Sequence, residues 1–158
     1  PLALTNVDPQ SLIPQSVEEL RSQAIQKGLN LTLLDVQAAT VYADAERMKE
    51  ILINLIGNAI KYTAKGSVGV SGQVKGDKYL VTVADTGFGI SAEDQKRLFQ
   101  KFSRIQNKDT QKITGTGLGL WITFELARRM NGTITVESIE GVGSHFTLHL
   151  PLGKKSEK

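Results

Sequence analysis

"DAERMKEILINLIGNAIKYT", residues 44–63, carries two patterns on one helix. Met48, Ile51, Leu52, Leu55, Ile56, Ala59 and Ile60 recur every three or four positions, the period of an apolar stripe turned to a core. Asp44 stands where a side-chain oxygen caps a first turn, so a helix from Ala45 to Tyr62 is expected. Opposite the stripe, Glu50, Asn54, Asn58 and Lys61 follow the same spacing and stack along one edge. Asparagine is a poor helix former, and Gly57 costs about 1 kcal/mol relative to alanine, so this edge answers a demand besides stability. An amide oxygen is a hard, neutral ligand suited to magnesium, which keeps water and phosphate oxygens in its shell; Lys61, one turn on, could meet a phosphate. Taken alone, the helix leaves an ordinary solvated face as the alternative.

Downstream, the alternating strand "KYLVTVAD" runs into "ADTGFGI", which puts Asp85 where a sheet ends and a loop opens. Gly87 and Gly89 let a flat ligand lie against the backbone. A carboxylate only accepts hydrogen bonds and so matches an exocyclic amine such as that of adenine, although Asp also opens turns for local reasons. "SAEDQKRLFQKF", residues 91–102, reads as a short helix capped by Ser91, with Phe99 and Phe102 at helical spacing, and residues 103–116 are polar and loop-like. In "KITGTGLGLWITFELARRM", residues 112–130, Gly115, Gly117 and Gly119 directly precede a run with helical apolar spacing. Two demands fit them: a phosphate at a helix N-terminus, or a plain turn before a helix.

Upstream, residues 8–27 have helical spacing and stop at Gly28, and "LNLTLLDV" and "ATVYAD" follow as short strands. "GSVGVSGQVKG" and "KYLVTVAD" form a hairpin about Gly76-Asp77, and "TITVESI" and "GSHFTLHL" pair across residues 140–143. Helices mixed with hairpin strands predict a two-layer α/β sandwich with a largely antiparallel sheet on one side.

The bulk numbers narrow the classes. A chain of 158 residues fits one domain. It has no cysteine, which removes disulfides, thiolate metal sites and cysteine nucleophiles and suits a reducing compartment. The net charge of +3 is spread through intermixed acids and bases, which argues against a nucleic-acid-tracking surface. No apolar stretch approaches the roughly 18 residues a bilayer requires, so a soluble, monomeric piece is expected, and its first residue, Pro1, suggests excision from a longer protein. His145 and His149 share one strand face, but no third ligand accompanies them to make a zinc site. No Gly-Lys-Ser/Thr ending makes a P-loop, and "GTGLGL" lacks the third glycine of a dinucleotide fingerprint.

The order "NLIGNAIKYT", "DTGFGI", "LFQKFSRI", "GTGLGL", "GVGSHFTLHLP" resembles the N, G1, F, G2 and G3 boxes of the catalytic ATP-binding domain of sensor histidine kinases. The resemblance runs from about Val7 to Leu152. It implies the Bergerat fold, a mixed, largely antiparallel sheet packed on helices, with ATP between the long helix and a flexible lid. It also divides the chain into a catalytic and ATP-binding domain, residues 1–152, and a polar tail, residues 153–158. Carried over by position, Asn58 would bind magnesium and Asn54 would support the metal and its waters. Lys61 would contact phosphate, and Tyr62 the ribose or adenine face. Asp85 would accept the adenine amino hydrogen, helped by Thr147, with Gly87, Gly89 and Ile90 shaping the base pocket. Arg104 would reach the γ-phosphate. Phe102, Gly115, Thr116, Gly117, Leu118 and Gly119 would complete the nucleotide site and its lid. Gln100 departs from the acidic residue of many relatives.

Where related ATPases carry a water-activating glutamate, this chain has Asn54, and an amide cannot act as a general base. The resemblance therefore implies a kinase that sends the γ-phosphoryl group to a histidine on an upstream dimerisation domain, and from there to an aspartate on a response regulator receiver. A cytoplasmic location is implied, with a parent that a membrane could anchor. A non-catalytic nucleotide-sensing module and an anti-sigma-type serine kinase are the alternatives.

Overall fold

The computed structural model describes residues 1–99 and 118–153, with only the backbone of residues 118 and 119. The expected long helix forms as α2, Ala45–Lys61, and the reasons are local. The Asp44 carboxylate accepts from the Arg47 amide at 3.2 Å, and also from the Ala3 amide at 2.9 Å, which ties the N-terminal segment to the helix start. All seven stripe residues are buried. Fully burying side chains of this kind is worth roughly 1.5–3 kcal/mol each, so the stripe anchors the domain. Tyr62 is the C-cap and not a further turn, and the Lys27 ammonium donates to the Ile60 and Lys61 carbonyls, both at 2.7 Å, where the helix leaves its last oxygens unpaired.

Helix α1, Pro9–Lys27, packs on α2. Asp8 caps it, and Gly28 ends it at φ 77°, a conformation that costs glycine little. The main sheet contains β2 (Asn30–Val36), β4 (Ser67–Lys75), β5 (Lys78–Asp85), β6 (Thr133–Ile139) and β7 (Gly143–Pro151), in the order β2-β4-β5-β7-β6. Only the β2/β4 pair is parallel; the β4/β5 and β6/β7 hairpins and the β5/β7 pair are antiparallel. Helix α4, Leu118–Arg129, lies with α2 against one face of this sheet. Val68, Val70, Tyr79, Val81, Val83, Leu148 and Leu150 point from that face into the core. The two-layer sandwich with a mostly antiparallel sheet is therefore the observed fold.

Two features differ from expectation. Thr5–Val7 forms a short strand, β1, paired antiparallel with β3 (Val41–Ala43) in a separate two-stranded ribbon. Of the helix expected over residues 91–102, the described part, up to Phe99, is α-helical from Ala92 to Gln95 (α3). After Gln95, amides bond back three residues, Arg97 to Asp94 at 3.0 Å and Leu98 to Gln95 at 3.4 Å, which is a tighter winding than an α-helix. That winding delivers Leu98 into burial and stacks Phe99 on Phe124 of α4, with ring centroids 5.0 Å apart.

Candidate functional site

The C-terminal end of α2 and the loop after β5 abut. The Phe88 amide donates to the Tyr62 carbonyl at 3.2 Å. A Cβ on Gly87 would lie 2.3 Å from that same carbonyl oxygen and 2.8 Å from the Thr63 hydroxyl, so only glycine lets the loop come this close. Gly89 sits at φ 70° with its α-carbon against the Ile139 backbone. Thr63, fully buried, donates to the Ala59 carbonyl at 2.7 Å and fixes the helix end on which the loop rests.

Asp85 closes β5 and is only 9% exposed. Its Oδ1 accepts from the Gly87 amide at 2.8 Å. Burial holds its carboxyl above the usual carboxylate range, against the opposing pull of the Gly87 and Ser144 amides and of His145. Desolvation therefore outweighs the hydrogen bonds.

On α2, Asn58 is partly buried, and none of the described residues bonds its carboxamide. Asn54 behaves differently: its Nδ2 donates to the buried Thr123 hydroxyl of α4 at 3.0 Å, which leaves its carbonyl oxygen as the free end. The Lys61 ammonium stands 5.8 Å from the Tyr62 ring centroid, a cation–π approach at the C-terminal end of α2. Tyr62, Asp85, Gly87, Gly89 and Ile90 thus lie at or next to the junction of α2 with the β5 loop, and Asn54, Asn58 and Lys61 lie on the helix that ends there.

Thr147 does not join them. In the unbroken β5/β7 register Asp85 faces Ser144 and Thr82 faces Thr147. Side chains three residues apart on a strand point to opposite sides, so Thr147 lies on the sheet face away from Asp85, with its hydroxyl 3.1 Å from that of Thr82. Ser144, buried and directly across from Asp85, occupies the place expected of Thr147. His145 and His149 share the Thr147 face, and His149 Nε2 is 2.8 Å from the Thr135 hydroxyl. Phe102, Arg104, Gly115, Thr116 and Gly117 lie outside the described residues, as does the expected lid; Leu118 and Gly119 open α4.

Sequence reasoning did not find Ser144, Thr123, Ser138 or Gln95. Counting strand parity back from the "GVG" turn would have found Ser144. The Gln95 carboxamide donates to the Ile90 carbonyl at 2.8 Å and the Ser138 carbonyl at 3.1 Å, a contact that only the folded chain reveals. Among the described residues no helix is long and apolar enough to cross a membrane.

Comparison with known proteins agrees with the fold. The family profile described as histidine kinase-, DNA gyrase B- and HSP90-like ATPase matches residues 43–154. The chain is 39% identical over 135 residues to the circadian input-output histidine kinase CikA of Synechococcus elongatus, covering 85% of this chain and 18% of that protein. Full-length ShkA, solved in complex with AMPPNP, superposes with a TM-score of 0.86 at 31% identity, over 99% of this chain and 33% of that one. The nucleotide-free catalytic domain of histidine kinase ThkA superposes with a TM-score of 0.80 at 26% identity, over 95% of this chain and 98% of that one.

Proposed function

The chain belongs to the family of histidine kinase-, DNA gyrase B- and HSP90-like ATPases, with sensor histidine kinases among its relatives, and from that premise we propose that it binds ATP with magnesium and delivers the γ-phosphoryl group to a histidine on a separate dimerisation domain. The observation that supports this best is the abutment of α2 on the Asp85 loop, with Gly87 pressed against the Tyr62 carbonyl and, on the same helix, an Asn58 carboxamide that none of the described residues bonds. The first makes a flat slot ending at a buried acceptor, and the second makes a neutral oxygen ligand beside it. The residues fit an adenine nucleotide and a hard cation.

Asp85 accepts from the exocyclic amine of the base, with Ser144 beside it. Gly87, Gly89, Ile90 and Tyr62 bound the ring. Asn58 would hold the metal through its carbonyl oxygen, and Asn54, its nitrogen committed to Thr123, would support the metal's waters with its oxygen. Lys61 leaves the Tyr62 ring for a phosphate oxygen. Bound magnesium supplies charge neutralisation across the phosphates and a fixed geometry for in-line transfer. Arg104, with the run Gly115, Thr116, Gly117, Leu118 and Gly119, completes the phosphate side, and Phe102 the lid side, by the resemblance of their boxes. Asn54 supports a kinase over a hydrolase, because its amide cannot take a proton from water. The acceptor domain, the response regulator that receives the phosphoryl group next, and a cytoplasmic setting are parts of the same proposal. So is the division into a working unit, residues 1–152, and a tail, residues 153–158. Calorimetric titration of ATP with magnesium tests it: Asn58→Ala should weaken binding at least about tenfold without lowering Tm, since the side chain has no partner among the described residues to lose. Unchanged affinity in the folded variant removes Asn58 from the site.

A further inference from the structure

We propose that Ser138 is a positioning residue for the adenine base, acting through the loop Thr86–Ile90; this rests on the nucleotide site proposed above. Ser138 is on β6, the outermost strand, across from Ser144 on β7. Its hydroxyl accepts from the Ile90 amide at 2.7 Å, donates to the Gly143 carbonyl at 3.0 Å, and lies 2.7 Å from the Ser144 hydroxyl. A serine hydroxyl has one proton and two lone pairs. With the proton on Gly143, the lone pairs take the Ile90 N–H and the Ser144 O–H, and the Ser144 lone pairs remain open beside Asp85.

The carbonyl of the same residue is held too. Gln95 donates to the Ile90 carbonyl and to the Ser138 carbonyl, so Ile90 is fastened to β6 both through its own amide and through Gln95. Between these ties and Asp85 the loop passes Gly89 at φ 70°; its Asp85 end is held by the Thr86 amide on the Ser67 carbonyl at 3.1 Å and the Gly87 amide on Asp85 Oδ1 at 2.8 Å, and its middle by Phe88 to Tyr62 and by Gly141 to the Phe88 carbonyl at 2.6 Å, so the far end depends on Ser138 and Gln95. A glycine-bearing loop outside the sheet ladder keeps much of its conformational freedom unless something holds it. Ser138 and Gln95 hold it, so the base meets a slot already formed and the ordering cost is not charged to binding. Because the latch acts at the base and not at the phosphates, ADP and ATP feel it equally.

Titration calorimetry on the chain carrying Ser138→Ala should show the same loss for ADP and for ATP with magnesium, about three- to tenfold, the scale of one hydrogen bond. The magnesium concentration that half-saturates ATP binding stays unchanged, and hydrogen exchange at the Ile90 amide accelerates. Ser138→Thr keeps the hydroxyl on a residue that suits a strand and should restore both readouts. Gln95→Ala leaves the sheet intact and should reproduce the loss, which keeps the test decisive if Ser138→Ala fails to fold. Unchanged ADP affinity in a folded Ser138→Ala or Gln95→Ala chain, where Asp85→Asn still weakens binding, overturns the latch and leaves the site standing. Unchanged affinity in Asp85→Asn as well overturns the site from which the latch follows.

Discussion

Replacing Asp85 with asparagine should move affinity and stability in opposite directions. The carboxyl is 9% exposed and its pKa is raised above 3.8, chiefly by burial. The folded state therefore binds this proton more tightly than the unfolded chain does. Between pH 3.8 and the raised folded value the folded state holds more protons, so stability falls as pH rises through that window. The deficit persists at neutral pH, where the ionised group sits in a poorly solvated place. Asparagine removes the charge but keeps an oxygen for the Gly87 amide, 2.8 Å away in the unmodified domain, so Tm without nucleotide should stay level or rise. Binding should suffer. A charge-assisted hydrogen bond is worth about 1.5–3 kcal/mol, or roughly 10- to 150-fold in affinity. The same argument gives a pH dependence: ADP affinity of the unmodified domain should begin to fall at a higher pH than an ordinary aspartate would set, as Asp85 takes up its proton. The assay is ADP titration by calorimetry with thermal unfolding on the same preparations. ADP affinity within twofold of the unmodified domain would refute the acceptor role, and a Tm several degrees lower would refute the electrostatic argument.

Gly87→Ala places a methyl 2.3 Å from the Tyr62 carbonyl, backbone against backbone, and should lower Tm and abolish measurable ADP binding together. Such overpacking costs about 1–3 kcal/mol. Gly28→Ala is the control: nothing lies within 4 Å of the new methyl, but φ is 77°, so it should lower Tm and leave ADP affinity alone. Arg104→Ala should leave ADP affinity nearly unchanged and slow phosphoryl transfer at least about tenfold if, as proposed, this arginine serves the charge of the group in flight; equal transfer rates would reduce it to surface charge.

Much of this was legible in the sequence, where one physical rule dominated. The α2 stripe, its Asp44 cap and the two hairpins all follow from period and turn chemistry. Gly76 at φ 63° turns the first hairpin as its neighbours predict. Asp85 could be placed because an alternating strand ended on it. What sequence did not give was register and tertiary reach. Thr147 sits close to the "GVG" turn, but pleat parity turns it to the other face, and Ser144 takes the place across from Asp85. Residues 91–102 carry helical spacing, yet α3 stops at Gln95, where its side chain is drawn to Ile90 and Ser138 and Phe99 meets Phe124. Strand β1 is three residues long, too short for a periodic signal, although its partner β3 lies within the expected strand "ATVYAD".

The most direct test is phosphoryl transfer from radiolabelled ATP with magnesium to a histidine-bearing helical dimerisation domain supplied in trans. The label should appear on that domain as an acid-labile, base-stable phosphohistidine, should vanish when magnesium is chelated, and should not appear on His145 or His149, which lie on the sheet face away from Asp85. ATP turned over to free phosphate with no labelled domain would contradict the account, because it would mean that water is activated in a site whose Asn54 cannot do so.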